Sequence, residues 1–146
     1  MSDAATGNDR LDVGAVIERI SFDSKGLVPA IIQEEGSKDV LMLGYMDNEA
    51  VRRTLTEGRV TFWSRSRQEY WRKGDTSGHH QYVRGAALDC DGDALLVTVH
   101  QIGPACHTGN HACFDVDPLA PVIGDSPVVG SDPAQSDVVG SEDGGN

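Results

Sequence analysis

The residues best suited to chemistry crowd into one stretch of the chain. Asp89, Cys90, Asp91 and Asp93 alternate along Leu88-Asp89-Cys90-Asp91-Gly92-Asp93. Cys106 and His107 follow in Gly103-Pro104-Ala105-Cys106-His107-Thr108-Gly109, and Cys113 precedes Phe114. Thiolates are soft ligands that select zinc, whereas carboxylates are hard ligands that suit magnesium. Two metal preferences are therefore interleaved, and the chemistry they suggest is metal-assisted. A catalytic zinc keeps three protein ligands and one open position for water. Cys90, Cys106 and Cys113, the three cysteines of the chain, match that count. Their spacing, C-x15-C-x6-C, is no standard zinc-finger pattern, so spacing alone leaves a closed zinc knuckle or ordinary core thiols equally open.

Asp89, Asp91 and Asp93 have period two, so an extended strand would point them to one face and Cys90 to the other. Carboxylates gathered there repel unless a cation neutralises them, and Mg²⁺ does this well. A solvated acidic turn is the simpler alternative. His107 and His111 flank the thiols, and either could act as general base or zinc ligand. For His111 a surface role is preferred.

A second cluster lies upstream. Arg65, Arg67, Arg72 and Lys73 stand against one acid, Glu69, between residues 65 and 73. Ser64, Ser66, Thr76 and Ser77 add hydroxyls, and Gly74 and Gly78 add accessible backbone N–H groups. Those are the parts of a phosphate site. Trp63, Tyr70 and Trp71 are placed to stack on a base or to fill the core. Alone, this segment would read as a charged strand face.

The elements that must position these groups are legible in outline. Val13, Val16, Ile17 and Ile20 follow helical spacing, predicting a short amphipathic helix that ends before Lys25-Gly26. Val28 to Gln33 and Val40 to Met46 read as a hairpin of buried strands. Asp47 is placed to cap a helix over 48–57, with Gly58 at its end and Ala50, Val51, Thr54 and Leu55 facing inward. Val60 to Ser64 predicts a strand, and 65–81 a functional loop or irregular strand pair. Tyr82 to Cys90 and Ala94 to Gln101 flank Asp91-Gly92-Asp93, a strong hairpin signal. Residues 103–113 form a loop.

Bulk composition narrows the class. The chain has 146 residues, enough for one core, and a net charge of −11. Residues 115–146 hold seven acids and no Lys or Arg, so residues 1–114 are only mildly acidic. There is no basic footprint for nucleic acid. No stretch of about 18 apolar residues predicts a membrane span. The N-terminal MSDAATGNDR lacks the basic and apolar regions of a secretory signal, and an odd cysteine count favours free thiols or metal ligation, so a cytoplasmic setting is expected. Organisation reads as a flexible N-terminus over 1–10, a catalytic domain over 11–114 and a disordered acidic tail over 115–146.

Together the segments resemble phosphoribosyl-AMP cyclohydrolase, a hydrolase family of histidine biosynthesis. The resemblance covers about Leu27 to Phe114. It rests on Val40-Leu41-Met42-Leu43-Gly44-Tyr45-Met46, Phe62-Trp63-Ser64-Arg65-Ser66-Arg67 and Trp71-Arg72-Lys73-Gly74-Asp75-Thr76-Ser77-Gly78, and on the two metal-type motifs ending in Cys113-Phe114. It implies an α+β, mostly β fold: a compact single domain with short helices, forming an intertwined homodimer. It implies one Zn²⁺ per subunit shared across that dimer, bound by Cys90 of one chain and by Cys106 and Cys113 of the other. It implies Mg²⁺ at Asp89, Asp91 and Asp93. His107, directly after Cys106, is the candidate catalytic residue on its position alone. The substrate, a small phosphorylated nucleotide, would be held by Ser64, Arg65, Ser66, Arg67, Trp71, Lys73, Gly74, Thr76, Ser77, Gly78 and His79. The implied reaction opens the purine ring of phosphoribosyl-AMP at N1–C6, giving the phosphoribosyl-formimino-AICAR phosphate product. Many relatives carry Asn after Thr-Ser-Gly where this chain has His79. The 32 residues after Phe114 are too few for the pyrophosphohydrolase domain of bifunctional relatives, so a monofunctional form is expected.

Two rivals use the same residues. A zinc deaminase requires H-x-E and P-C-x-x-C, and neither occurs. A non-enzymatic zinc module binding a phosphorylated ligand or partner would close the zinc with a fourth ligand such as His107.

Overall fold

The fold is built on strands whose alternate residues face one core. The computed structural model describes residues 12–122. The expected flexible segment over 1–10 and most of the expected tail lie outside the described residues. By contacts the chain divides into a unit over Met1–Val116 and a second over Asp117–Asn146. The described part of the second, 117–122, contains neither helix nor strand.

In the first unit, helix α1 (Val13–Glu18) starts at Asp12, whose carboxylate accepts from the Ala15 N–H at 3.2 Å. Strands β1 (Val28–Glu34) and β2 (Val40–Met46) pair antiparallel. Helix α2 (Asn48–Glu57) is capped by Asp47, which accepts from the Ala50 N–H at 2.8 Å, and it ends at Gly58 in the left-handed conformation. Ala50, Val51 and Thr54 are its buried face, while Leu55 is half-buried against the core.

Strands β3 (Thr61–Ser64) and β4 (Glu69–Arg72) form a separate two-stranded sheet. The segment left open between loop and irregular pair is thus a regular hairpin up to Arg72. Cross-strand aromatics account for it: Phe62 and Trp71 have ring centroids 4.8 Å apart, as do Trp63 and Tyr70. Strands β5 (Gln81–Leu88) and β6 (Leu95–Gln101) pair antiparallel, and β6 runs parallel to β1. The main sheet has the order β2-β1-β6-β5.

The buried set alternates along the strands: Val28, Ala30 and Ile32 on β1, and Leu95, Val97 and Val99 on β6. Phe62 of the small sheet seals this core, and Gly44 leaves room for its ring. The opposite face carries Leu43, Ile31 and Leu96 in register across β2, β1 and β6, with Leu43 exposed. Among the described residues, no helix is long and apolar enough to cross a membrane.

Candidate active site

Two loops converge beside two of the thiols. The first is the segment Lys73–His80 after β4; the second is the segment Gly103–Cys113 after β6. Gly74 and Gly103 permit their approach. A Cβ on Gly74 would stand 2.6 Å from the His80 Cα, and one on Gly103 would stand 2.6 Å from the His79 ring. Both have positive φ, so a side chain there would be strained as well as crowded. The Ile102 N–H donates to the His80 carbonyl at 2.9 Å, fastening the start of the second loop to the end of the first.

Within the second loop, the Cys106 N–H donates to the Asn110 carbonyl at 3.1 Å and the Ala105 N–H to the His111 carbonyl at 2.9 Å. Cys106 is buried, and the Thr108 hydroxyl donates to its sulfur at 3.1 Å. That hydrogen bond, with help from the Thr108 backbone, Cys113 and Lys73, lowers the Cys106 thiol below its ordinary pKa. Cys113 opens a 3-10 turn over Cys113–Asp115; burial and then its neighbour Cys106 push its thiol up. The charge of Lys73 acts on both thiols. Burial lowers the Lys73 pKa, while Cys113 and Cys106 draw it back up. An ammonium among two sulfurs favours the thiolate form that metals require.

Cys90 stands apart. It is exposed on the turn between β5 and β6. Among the described residues of one chain, the three thiols do not come together as a metal-type cluster. The aspartates of that turn do: the carboxylates of Asp89, Asp91 and Asp93 lie within 4.8 Å of one another. The expected reason requires correction. They converge through a turn, not through an extended strand, because β5 ends at Leu88. Asp89 Oδ1 accepts from the N–H groups of Asp93 at 3.0 Å and Ala94 at 3.3 Å, which folds the backbone back. The turn is anchored by the Ser21 N–H donating to the Gly92 carbonyl at 2.8 Å. Hydrogen bonding with Asp89 and Asp91, and their charge, push the Asp93 carboxyl up to about 6, whereas Asp89 is lowered, chiefly by its hydrogen bond with Asp93. Three carboxylates gathered this closely, each raising the charge the others must bear, are suited to a hard divalent cation.

The phosphate-type residues divide. Arg67, Trp71, Lys73, Gly74, Thr76 and Ser77 line one cavity of about 370 Å³. Arg65 instead lines a cavity of about 410 Å³ with Lys25 and Trp63, and its guanidinium lies 4.0 Å from the Tyr45 ring centroid. Ser64 and Ser66 sit at the β3–β4 turn, their hydroxyls 3.5 Å apart, and the Ser64 hydroxyl accepts from the Arg67 N–H at 3.2 Å. Gly78 donates its N–H to the Gly74 carbonyl at 2.8 Å, and His79 donates its N–H to the Ser77 hydroxyl at 3.1 Å. Trp71 packs on Phe62 and also borders the cavity. His107 is solvent-exposed beside Cys106.

Two contacts have no signal in the sequence. His111, preferred there as a surface residue, is indeed exposed, yet its Nε2 lies 2.9 Å from Glu34 and 3.7 Å from Asp39, tying the cysteine loop to the β1–β2 turn. Arg59 reaches across to Asp75 and His80. Neither contact has a local pattern, because the partners are far apart in the chain.

The profile of the family described as phosphoribosyl-AMP cyclohydrolase matches residues 42–115, the span that contains the β3–β4 hairpin, both loops and the aspartate turn. The chain belongs to the phosphoribosyl-AMP cyclohydrolase family. It is therefore a hydrolase of histidine biosynthesis. A phosphoribosyl-AMP cyclohydrolase of Leifsonia xyli subsp. xyli is 68% identical over 116 residues, covering 80% of this chain and 93% of that one. One from Clavibacter michiganensis subsp. michiganensis is 65% identical over 122 residues, covering 84% and 92%. One from Bifidobacterium adolescentis is 65% identical over 108 residues, covering 74% and 80%. Membership in a cyclohydrolase family removes the non-enzymatic zinc module as a reading.

Proposed function

We propose that the protein hydrolyses the N1–C6 bond of phosphoribosyl-AMP at a zinc site assembled between two copies of the chain. One observation carries this reading: the loop that holds Cys106 and Cys113 is fastened to the phosphate-type loop, the Ile102 N–H donating to the His80 carbonyl at 2.9 Å and Gly103 packing on the His79 ring, so residues suited to phosphate and residues suited to zinc are neighbours. Cys106 and Cys113 would hold the zinc from one chain, with Cys90 supplied by the other. The donor set fits, since a lowered Cys106 thiol and a nearby cation favour thiolates, and two sulfurs alone fall short of the three ligands a catalytic zinc uses. Asp89, Asp91 and Asp93 would hold Mg²⁺. When bound, the zinc supplies the Lewis acidity that brings water near neutral pKa.

The chain's own residues do the rest. Arg67, Lys73, Thr76 and Ser77 bind a phosphate group of the nucleotide in the 370 Å³ cavity. Trp71 offers an edge to the base, while Gly78 and His79 shape the end of the loop. Ser64, Arg65 and Ser66, on the other side of the hairpin, receive the second phosphate. His107 takes a proton from the attacking water as its oxygen adds to C6. It returns a proton to N1 as the C6–N1 bond breaks, leaving C6 as a carboxamide and N1 as the amidine nitrogen of phosphoribosyl-formimino-AICAR phosphate.

The apolar row Leu43, Ile31 and Leu96, with Val40 and Phe114 also exposed, supports a homodimer. Thiolate ligation fits the reducing cytoplasm. The test is ring opening by purified protein, followed by ultraviolet absorbance. Turnover should vanish on chelation and return with zinc. Full turnover after complete removal of zinc, or none in the zinc-loaded protein, would overturn the proposal.

A further inference from the structure

Arg59 lies between α2 and β3, outside every motif that carries the family resemblance. Its side chain is only 18% exposed. Its Nη2 faces three groups spread along the Lys73–His80 loop: the Lys73 carbonyl at 3.4 Å, Asp75 Oδ1 at 3.0 Å and His80 Nδ1 at 2.6 Å. A nitrogen with two hydrogens serves three acceptors here, and the short contact to His80 requires the imidazole proton on Nε2. Asp75 is shared, since Arg72 Nε also donates to it at 2.9 Å. Arg59 Nε is buried with no acceptor among the described residues, so Nη2 carries the contacts of this guanidinium to the loop.

The backbone around Arg59 is fixed at both ends of the same loop. Val60 accepts from the Lys73 N–H at 2.9 Å, and Arg59 bridges to Tyr82 just beyond His80. Between these anchors the loop bonds chiefly to itself, through the Asp75 N–H to Arg72 and the Gly78 N–H to Gly74. Thr76 and Ser77 at its tip are exposed. A loop of this kind would lose much conformational freedom on gripping a phosphate unless it were already ordered.

We propose that Arg59 is a positioning residue for substrate binding, its guanidinium holding the Lys73–His80 loop in the conformation that presents Lys73, Thr76 and Ser77 to a phosphate group. This rests on the function proposed above. Arg59 bonds neither to Cys106 and Cys113 nor to His107, so its effect falls on binding and not on the chemical step.

The test compares wild type, Arg59→Gln and Arg59→Lys for KM, kcat, zinc content and amide hydrogen exchange at Asp75 and Gly78. Arg59→Gln should raise KM roughly ten-fold, the loss of one charge-assisted hydrogen bond, and leave kcat within about three-fold. Zinc content should be unchanged and the two amides should exchange faster. Arg59→Lys should recover part of the KM, because an ammonium reaches Asp75 without the planar fork. Unchanged KM and exchange would overturn the proposal, as would parallel loss of kcat and zinc. If wild type itself fails to turn over phosphoribosyl-AMP, the proposed function falls. The exchange measurement then still decides whether Arg59 orders the loop: faster exchange supports it and unchanged exchange overturns it.

Discussion

Replacing Asp47 by Ala tests how the fold holds the phosphate-type hairpin. One Asp47 oxygen caps α2 through the Ala50 N–H at 2.8 Å; the other accepts from the Tyr70 hydroxyl of β4 at 2.6 Å. Arg53 of α2 also covers the Tyr70 ring, 4.4 Å from its centroid. A lost N-cap costs about 1 kcal/mol. A lost hydrogen bond to a carboxylate at a half-buried phenol costs about 1 kcal/mol more. The sum, about 2 kcal/mol, lowers the melting temperature by roughly 6–10 °C in a domain of this size. Asp47→Asn keeps the cap but offers the Tyr70 hydroxyl no second acceptor oxygen, so it should lose about 1 kcal/mol. Crossing Asp47→Ala with Tyr70→Phe should give a coupling of about 1 kcal/mol by denaturant unfolding. Burial and the Asp47 hydrogen bond raise the Tyr70 hydroxyl from 10.0 to about 12. Its folded pKa lies above the unfolded one, so this contribution is complete below pH 10 and is lost as pH rises towards 12. In Asp47→Ala the tyrosinate absorbance should appear at lower pH. A variant within about 0.5 kcal/mol of wild type, or an Asn variant as unstable as the Ala one, would refute this reasoning.

Three further outcomes are expected. Asp93, held up to about 6 by Asp89 and Asp91, keeps its proton below that pH, so Mg²⁺ affinity should fall as pH drops through 6, with proton release on binding measured by calorimetry in two buffers; pH-independent affinity would contradict it. Gly74→Ala places a Cβ 2.6 Å from the His80 backbone at positive φ and should cost more than 1 kcal/mol in unfolding free energy and raise KM; a neutral variant would contradict the packing of the loop on His80. Truncation after Asp117 removes no thiol and no phosphate-type motif and should leave zinc content and turnover near those of the intact chain; a large loss in a folded protein would move the domain boundary.

What the sequence made legible was local. Asp47 and Gly58 bracket α2 by capping chemistry, and Asp91-Gly92-Asp93 marks a reversal, because each acts through its own backbone. Strand β4 was legible only as one of two options, loop or irregular strand pair, since Glu69-Tyr70-Trp71-Arg72 has no apolar alternation and is held by aromatic pairing with β3. The parallel pairing of β1 with β6 joins residues some 65 positions apart and leaves no local trace. At the site, residue types announced the thiols, the aspartates and the phosphate-type loop. The contacts that hold them, Arg59 to His80 and His111 to Glu34, depend on the completed fold.

The central claim is that the zinc site belongs to two chains, and mixing two inactive variants tests it most directly. Cys90→Ala and Cys113→Ala chains should each lose zinc and turnover alone. In a heterodimer one site lacks two ligands and the other keeps all three. Equal amounts exchanging at random give heterodimers in about half of the population, so about one quarter of wild-type activity and zinc should return. No recovery, with subunit exchange demonstrated, would place all three ligands within one chain and contradict the account.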